Sequence, residues 1–133
     1  MRYNRLMSDL PLYDSPEDLP APRPREAMRF EQVAVLPYAD GRRVKLTFKF
    51  PPFLDRPSVD AWVTDAEGRV VAMMSLIEAM DQDFEFTLHL RHPEPRGAHT
   101  LRLVMFYPKA GQNLDERQVV DERAVPFTIE PPY

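Results

Sequence analysis

Arg43-Val44-Lys45-Leu46-Thr47-Phe48-Lys49-Phe50 is the stretch on which the fold turns. Val44, Leu46, Phe48 and Phe50 alternate with Arg43, Lys45, Thr47 and Lys49, so an extended chain carries one apolar row and one polar, largely cationic row. A strand with one face in a core and the other in water satisfies both rows. A helix would scatter the same residues around its circumference. Pro51-Pro52 then ends the strand, because proline fixes φ and has no N–H to give a ladder.

The same texture extends in both directions. Asp40-Gly41 supplies residues that tolerate positive φ, so a first strand over 29–36 turns into the second. After Pro57 a third strand is expected over 58–64, with Val59, Ala61 and Val63 on one face and Asp60, Trp62 and Thr64 on the other. A turn at 65–68 leads to a fourth over 69–77, apolar on both faces at Val70, Val71, Met73 and Met74, which predicts burial on both sides or an exposed apolar patch. A fifth over 84–91 points Phe84, Phe86, Leu88 and Leu90 inward. A sixth follows over 99–107, and a last strand near 119–129 carries Pro126, which assigns it to a sheet edge or a bulge. The one helix-like window, 75–82, is short, and no βαβ alternation exists. The reading is an all-β, antiparallel sandwich of about seven strands.

Two short motifs add a resemblance. Gly97-Ala98-His99-Thr100-Leu101-Arg102-Leu103 resembles the run into the penultimate strand of immunoglobulin-like and fibronectin type III-like domains, with His99 where a corner tyrosine stands. Val63-Thr64-Asp65-Ala66-Glu67-Gly68-Arg69-Val70-Val71 is similar to a hairpin frequent in bacterial immunoglobulin-like domains. The resemblance covers residues 28–130 and implies an immunoglobulin-like β-sandwich; the absent cysteine pair departs from the antibody type. It implies a core role for Trp62, whereas strict alternation puts Trp62 on the polar face as a contact residue. The core placement is the expectation. Such sandwiches host binding, spacing and enzyme-accessory roles, so the fold names no function.

Residues 1–27 read differently. Prolines at 11, 16, 20, 22 and 24 forbid a regular helix, and Pro20 to Pro24 reads as polyproline II. The chain is thus divided into an extended proline-rich arm, 1–27, and a sandwich, 28–133. Leu10-Pro11-Leu12-Tyr13, with Leu6, Met7 and Leu19 nearby, is more apolar than a linker requires. These four residues are the candidate partner-binding group. They are expected either to cover an exposed edge of their own sandwich, the 69–77 strand among them, or to be donated to a partner.

Composition narrows the chemistry. A chain of 133 residues suits one core, and a net charge of −4 with both signs interspersed leaves no electrostatic footprint for nucleic acid. No apolar run approaches the roughly 20 residues of a membrane span, so no membrane insertion is expected. The N-terminus lacks the apolar region of a secretory signal, and cysteine is absent, which together favour the cytoplasm. Absent cysteine also removes disulfides, thiolate zinc sites and cysteine nucleophiles. His89, His92 and His99 invite a metal reading, but they alternate between strand face, turn and next strand. Asp81, Asp83 and Glu85 lack the glycine and distal glutamate of a calcium loop. Asp115, Glu116, Asp121 and Glu122, mixed with Arg117 and Arg123, read as an exposed, self-compensating loop. No nucleophile elbow or phosphate-cradling loop is visible among four glycines. The expected function is a non-catalytic interaction domain, without cofactor, that binds a protein partner or a second copy. The rival is a ligand-binding or enzyme-accessory domain whose site lies in the loops 53–57 and 108–117.

Overall fold

The computed structural model describes residues 21–92, 95–109 and 116–130. Seven strands follow in order: β1 (Gln32–Pro37), β2 (Arg43–Lys49), β3 (Ser58–Thr64), β4 (Val70–Leu76), β5 (Asp83–His89), β6 (Gly97–Pro108) and β7 (Arg117–Ile129). All neighbours pair antiparallel, in two sheets ordered β1-β2-β5 and β4-β3-β6-β7. The fold is an all-β sandwich of seven strands.

The alternation in β2 sets the core. Val44, Leu46 and Phe48 are buried from one sheet, and Val59, Ala61, Val63, Leu101, Leu103 and Met105 face them from the other. The first sheet carries the bulk: Phe48 lies between 5.5 and 5.9 Å, ring centre to ring centre, from Phe30, Phe50, Phe84 and Phe86. An interior packed to crystal-like density then requires small residues opposite. β3 supplies them in Val59, Ala61 and Val63.

This division corrects the expectation for Trp62. Trp62 is half-buried on the outer face, paired with Met73 of β4 and Arg102 of β6. An indole turned inward from β3 would compete for the space the phenylalanines fill.

The two-faced apolarity of β4 also resolves. Its register with β3 passes from Val63↔Ala72 to Thr64↔Val70, leaving Val71 as an inserted bulge residue. Val71 and Ala72 are both buried in consequence, whereas Val70 and Met73 are 50% and 64% exposed. The outcome is an exposed patch on an edge strand.

β7 is the opposite edge of that sheet, where Pro126 costs no ladder bond on its free side. A second irregularity lies between Met105 and Phe106 of β6. The charged stretch read as a loop is corrected in part: Arg117, Asp121, Glu122 and Arg123 belong to β7. The pattern there is masked because charged side chains at a rim can turn toward polar partners instead of a core.

Candidate functional site

Antiparallel order decides which loops share an end. β1 and β3 begin, and β2, β4 and β6 finish, at the same end of the sandwich, as the pairs Gln32↔Lys49, Val59↔Leu76 and Ser58↔Phe106 show. The loops 50–57 and 77–82, the segment 21–31 and the start of the β6–β7 connection at Lys109 therefore meet there.

The segment 21–31 crosses this end as a strap. Arg23 donates its N–H to the Pro52 carbonyl at 2.9 Å, and its own carbonyl accepts from Leu54 at 3.0 Å, a parallel bridge to Phe53. One turn of 3₁₀ helix, Arg25–Ala27, follows and leaves Arg25 over the loops. Its Nε donates to the Asp55 carboxylate at 2.8 Å and Nη1 to the Pro108 carbonyl at 3.0 Å, while the guanidinium stands 4.9 Å from the centre of the Tyr107 ring. Met28 and Phe30 then enter the core. β7 holds the Phe30 backbone on both sides: Asp121 Oδ2 accepts its N–H at 2.8 Å, and Arg123 Nη2 donates to its carbonyl at 2.9 Å.

Tyr107 lies beneath Arg25, buried, its hydroxyl donating to the Asp55 carbonyl at 3.2 Å. Burial, with the Asp55 carboxylate adding to it, pushes the phenol up to about 12. It remains a neutral donor at physiological pH.

The loop 77–82 is locked to its neighbour. Ala79 N–H donates to the Pro57 carbonyl at 2.8 Å and Glu78 N–H to Ser58 Oγ at 3.0 Å, with Glu78 in the left-handed region at φ 50°. Ala79 is buried by this anchoring, and Ile77 and Met80 on either side are turned outward, 67% and 79% exposed. Leu54 on the adjoining loop is 66% exposed. Three large apolar side chains thus stand in water on loops fixed by hydrogen bonds.

The sequence-derived candidates are placed as follows. Leu10, Pro11, Leu12 and Tyr13 lie outside the described residues. The two loops of the rival reading, 53–57 and 108–117, are brought together in their described parts by Arg25, which touches Asp55 and Pro108. The three histidines diverge. His89 is exposed opposite Arg43, His92 lies 3.5 Å from Arg69, and His99 is buried against Phe127 with Nδ1 2.9 Å from the Gly97 carbonyl. Among the described residues no group of three or more His, Asp or Glu side chains is placed to hold a metal ion. Asp83 and Glu85 face outward on β5, opposite Lys49 and Thr47. Sequence reasoning missed Arg25, Ile77 and Met80. The signal for Met80 was present, since it interrupts the acidic run Glu78, Asp81, Asp83.

Two grooves lie on the flanks. One of about 410 Å³ runs between β4 and β5, lined by Met73, Met74, Phe86, Leu88 and Arg91 among others. Another of about 620 Å³ lies between β1 and β7. No described helix is long and apolar enough to cross a membrane.

No family model matches this chain, and no curated protein matches it. Solved structures do match, among them the crystal structure of Ruminococcus gnavus beta-glucuronidase, 18% identical with a TM-score of 0.42 over 78% of this chain and 16% of that one. The chain therefore spans less than a fifth of that enzyme.

Proposed function

We propose that the chain is a non-catalytic protein-interaction domain on an immunoglobulin-like scaffold, with its contact surface at the strapped end of the sandwich. The strand order supports the finer fold reading: β4 joins the sheet of β3, β6 and β7, the fibronectin type III-like variant of the seven-strand sandwich. The observation that carries the function is the exposure of Leu54, Ile77 and Met80 on loops whose backbones are fixed at that end. Exposed apolar side chains on rigidly held loops are the composition of an interface, because they gain burial on binding without first losing backbone freedom. The docked strap supports this reading over the enzyme-accessory one, since it fills the end where a concave pocket between loops would open.

The test is capture from the native host with the full chain as bait. A protein retained by the wild type and lost with Leu54→Asp/Ile77→Asp/Met80→Asp, at unchanged thermal stability, is the expected result. Retention by the triple variant would move the surface elsewhere. Partner loss alongside a lowered melting temperature would show these side chains to be structural.

A further inference from the structure

We infer that β4 is a pairing edge for a second copy of this chain, laid antiparallel along residues 72–76 and related to the first by a twofold axis at Met74. The surface adjoins the strapped end, but the inference does not rest on a partner binding there.

The edges are the first argument. The two sheets end on β1, β5, β4 and β7. β5 carries Asp83 and Glu85, β7 carries Asp121, Glu122, Arg123 and Pro126, and β1 ends on Pro37. Charge and proline of this kind keep an open ladder from pairing with another chain. β4 has neither. Its bulge, and the Arg91 N–H on the Val71 carbonyl at 2.7 Å, close only the start of the strand. Over 72–76 the register with β3 is regular, and among the described residues the backbone of that stretch bonds to β3 alone.

Self-complementarity is the second argument. An uncharged strand meets its own copy without opposing like charges, and a twofold pairing makes every contact twice. With Met74 on the axis, the exposed Met73 lies across from Ser75 of the second copy, and the two Met73 side chains meet on the diagonal, within reach of long side chains. Val70 then comes opposite Glu78 of the second copy, and Arg91, bonded to the Val71 carbonyl, stands beside that position. Arg91 and Glu78 are both exposed, and among the described residues neither has an ion-pair partner. Arg69, the other cation at that end, is already held by Asp65 and Glu67. The antiparallel arrangement thus brings Arg91 of each copy to Glu78 of the other. Size is the third argument. A seven-residue strand is about 23 Å long and two stacked sheets are about 20 Å deep with their side chains, so the two copies together bury about 900 Å². An interface of that size is transient, and the dimer forms only as concentration rises.

Sedimentation equilibrium of the full-length chain from about 5 μM to about 1 mM, the range of a transient interface, tests the pairing. The mass should rise from one chain toward two. Met73→Lys should weaken the dimer at least about tenfold, because it sets a cation on each side of the axis. Met73 is exposed, so the melting temperature should hold. Arg91→Glu and Glu78→Arg should each weaken the dimer, and the double variant Arg91→Glu/Glu78→Arg should return it to the wild-type constant, since the swap restores opposite charges across the axis. Mild oxidation should link two copies of Met74→Cys faster than two copies of Val119→Cys on the far edge, in a chain with no other cysteine. A chain that stays monomeric at the highest concentration overturns the inference. So does a dimer that tolerates Met73→Lys, a double variant as weak as the singles, or equal rates of linking. Should Met73→Lys lower the melting temperature, the charge swap and the cysteine pair decide.

Discussion

Phe48 shows how one side chain comes to matter. It is 2% exposed, and four other phenylalanine rings surround it within 5.9 Å. Its removal leaves a void that the four remaining rings and β-branched neighbours cannot close, so Phe48→Ala should cost about 3–5 kcal/mol in urea unfolding. Lys45, three residues earlier on the opposite face, should change stability by less than about 0.5 kcal/mol when cut to alanine. Comparable losses from the two would mean that the faces of β2 have been exchanged. Phe106 teaches the complementary lesson. It points outward by the period of β6, yet is only 6% exposed because the Arg117 guanidinium lies 3.9 Å above its ring. Arg117 is itself held by Asp60 at 2.7 Å, and Ser75 Oγ donates to the same carboxylate at 2.6 Å. Burial pushes the Asp60 carboxyl up, but these hydrogen bonds and the Arg117 charge outweigh it and hold the group below its ordinary value.

Turns decide how the strands meet, and the β3–β4 hairpin shows the economy of the device. Asp65 accepts backbone N–H bonds from Glu67 at 3.0 Å and Arg69 at 2.9 Å, and Gly68 completes the turn at φ 83°. The backbone donors of Arg69 and Glu67, with the Arg69 side chain, hold the Asp65 carboxyl low against some desolvation. A Cβ at Gly68 would meet open space, so the cost of Gly68→Ala is conformational alone. It should be about 1 kcal/mol, the strain of placing an L-residue in the left-handed region. A neutral result in thermal melts would show that the hairpin can adopt another turn. The Val71 bulge follows three residues after Gly68, and Met73 and Val70 face water at the sheet edge.

The domain as one body is closed by its strap. Arg25, Asp55 and Tyr107 tie the segment before β1 to the β2–β3 loop and to the end of β6, and Asp121 with Arg123 ties it to β7. The buried Tyr107 phenol gives this closure a pH dependence. Its folded value of about 12 exceeds the ordinary 10.0, so the folded protein binds the proton more tightly than the unfolded chain. That stability is fully present below pH 10.0 and is lost as pH rises through about 12. Urea midpoints should therefore fall across this window in the wild type. Tyr107→Phe should start about 1 kcal/mol lower, having lost one hydrogen bond, and lack this part of the alkaline decline. Parallel alkaline limbs in the two proteins would place the titrating group elsewhere.

The seven strands, their faces and the edge position of β7 were legible in the order of residues, because strand periodicity and turn chemistry are local properties that each segment carries alone. Val44, Leu46, Phe48 and Phe50 needed no partner to declare an inward face. For Trp62 the alternation of β3 already marked the outer face; the resemblance drew it inward, and the volume that the phenylalanines of the other sheet occupy decides for the alternation. Phe106, buried beneath an arginine from β7, and Asp121, turned to the Phe30 backbone, depend likewise on groups 11 and 91 residues away. The strapped end is of the same kind. Arg25 is one arginine among many in the sequence, and only the meeting of Asp55, Tyr107 and Pro108 around it gives it a place. Apolar residues at 54, 77 and 80 come to the same end of the sandwich because antiparallel pairing delivers their loops there, a consequence of long-range register that local spacing does not encode.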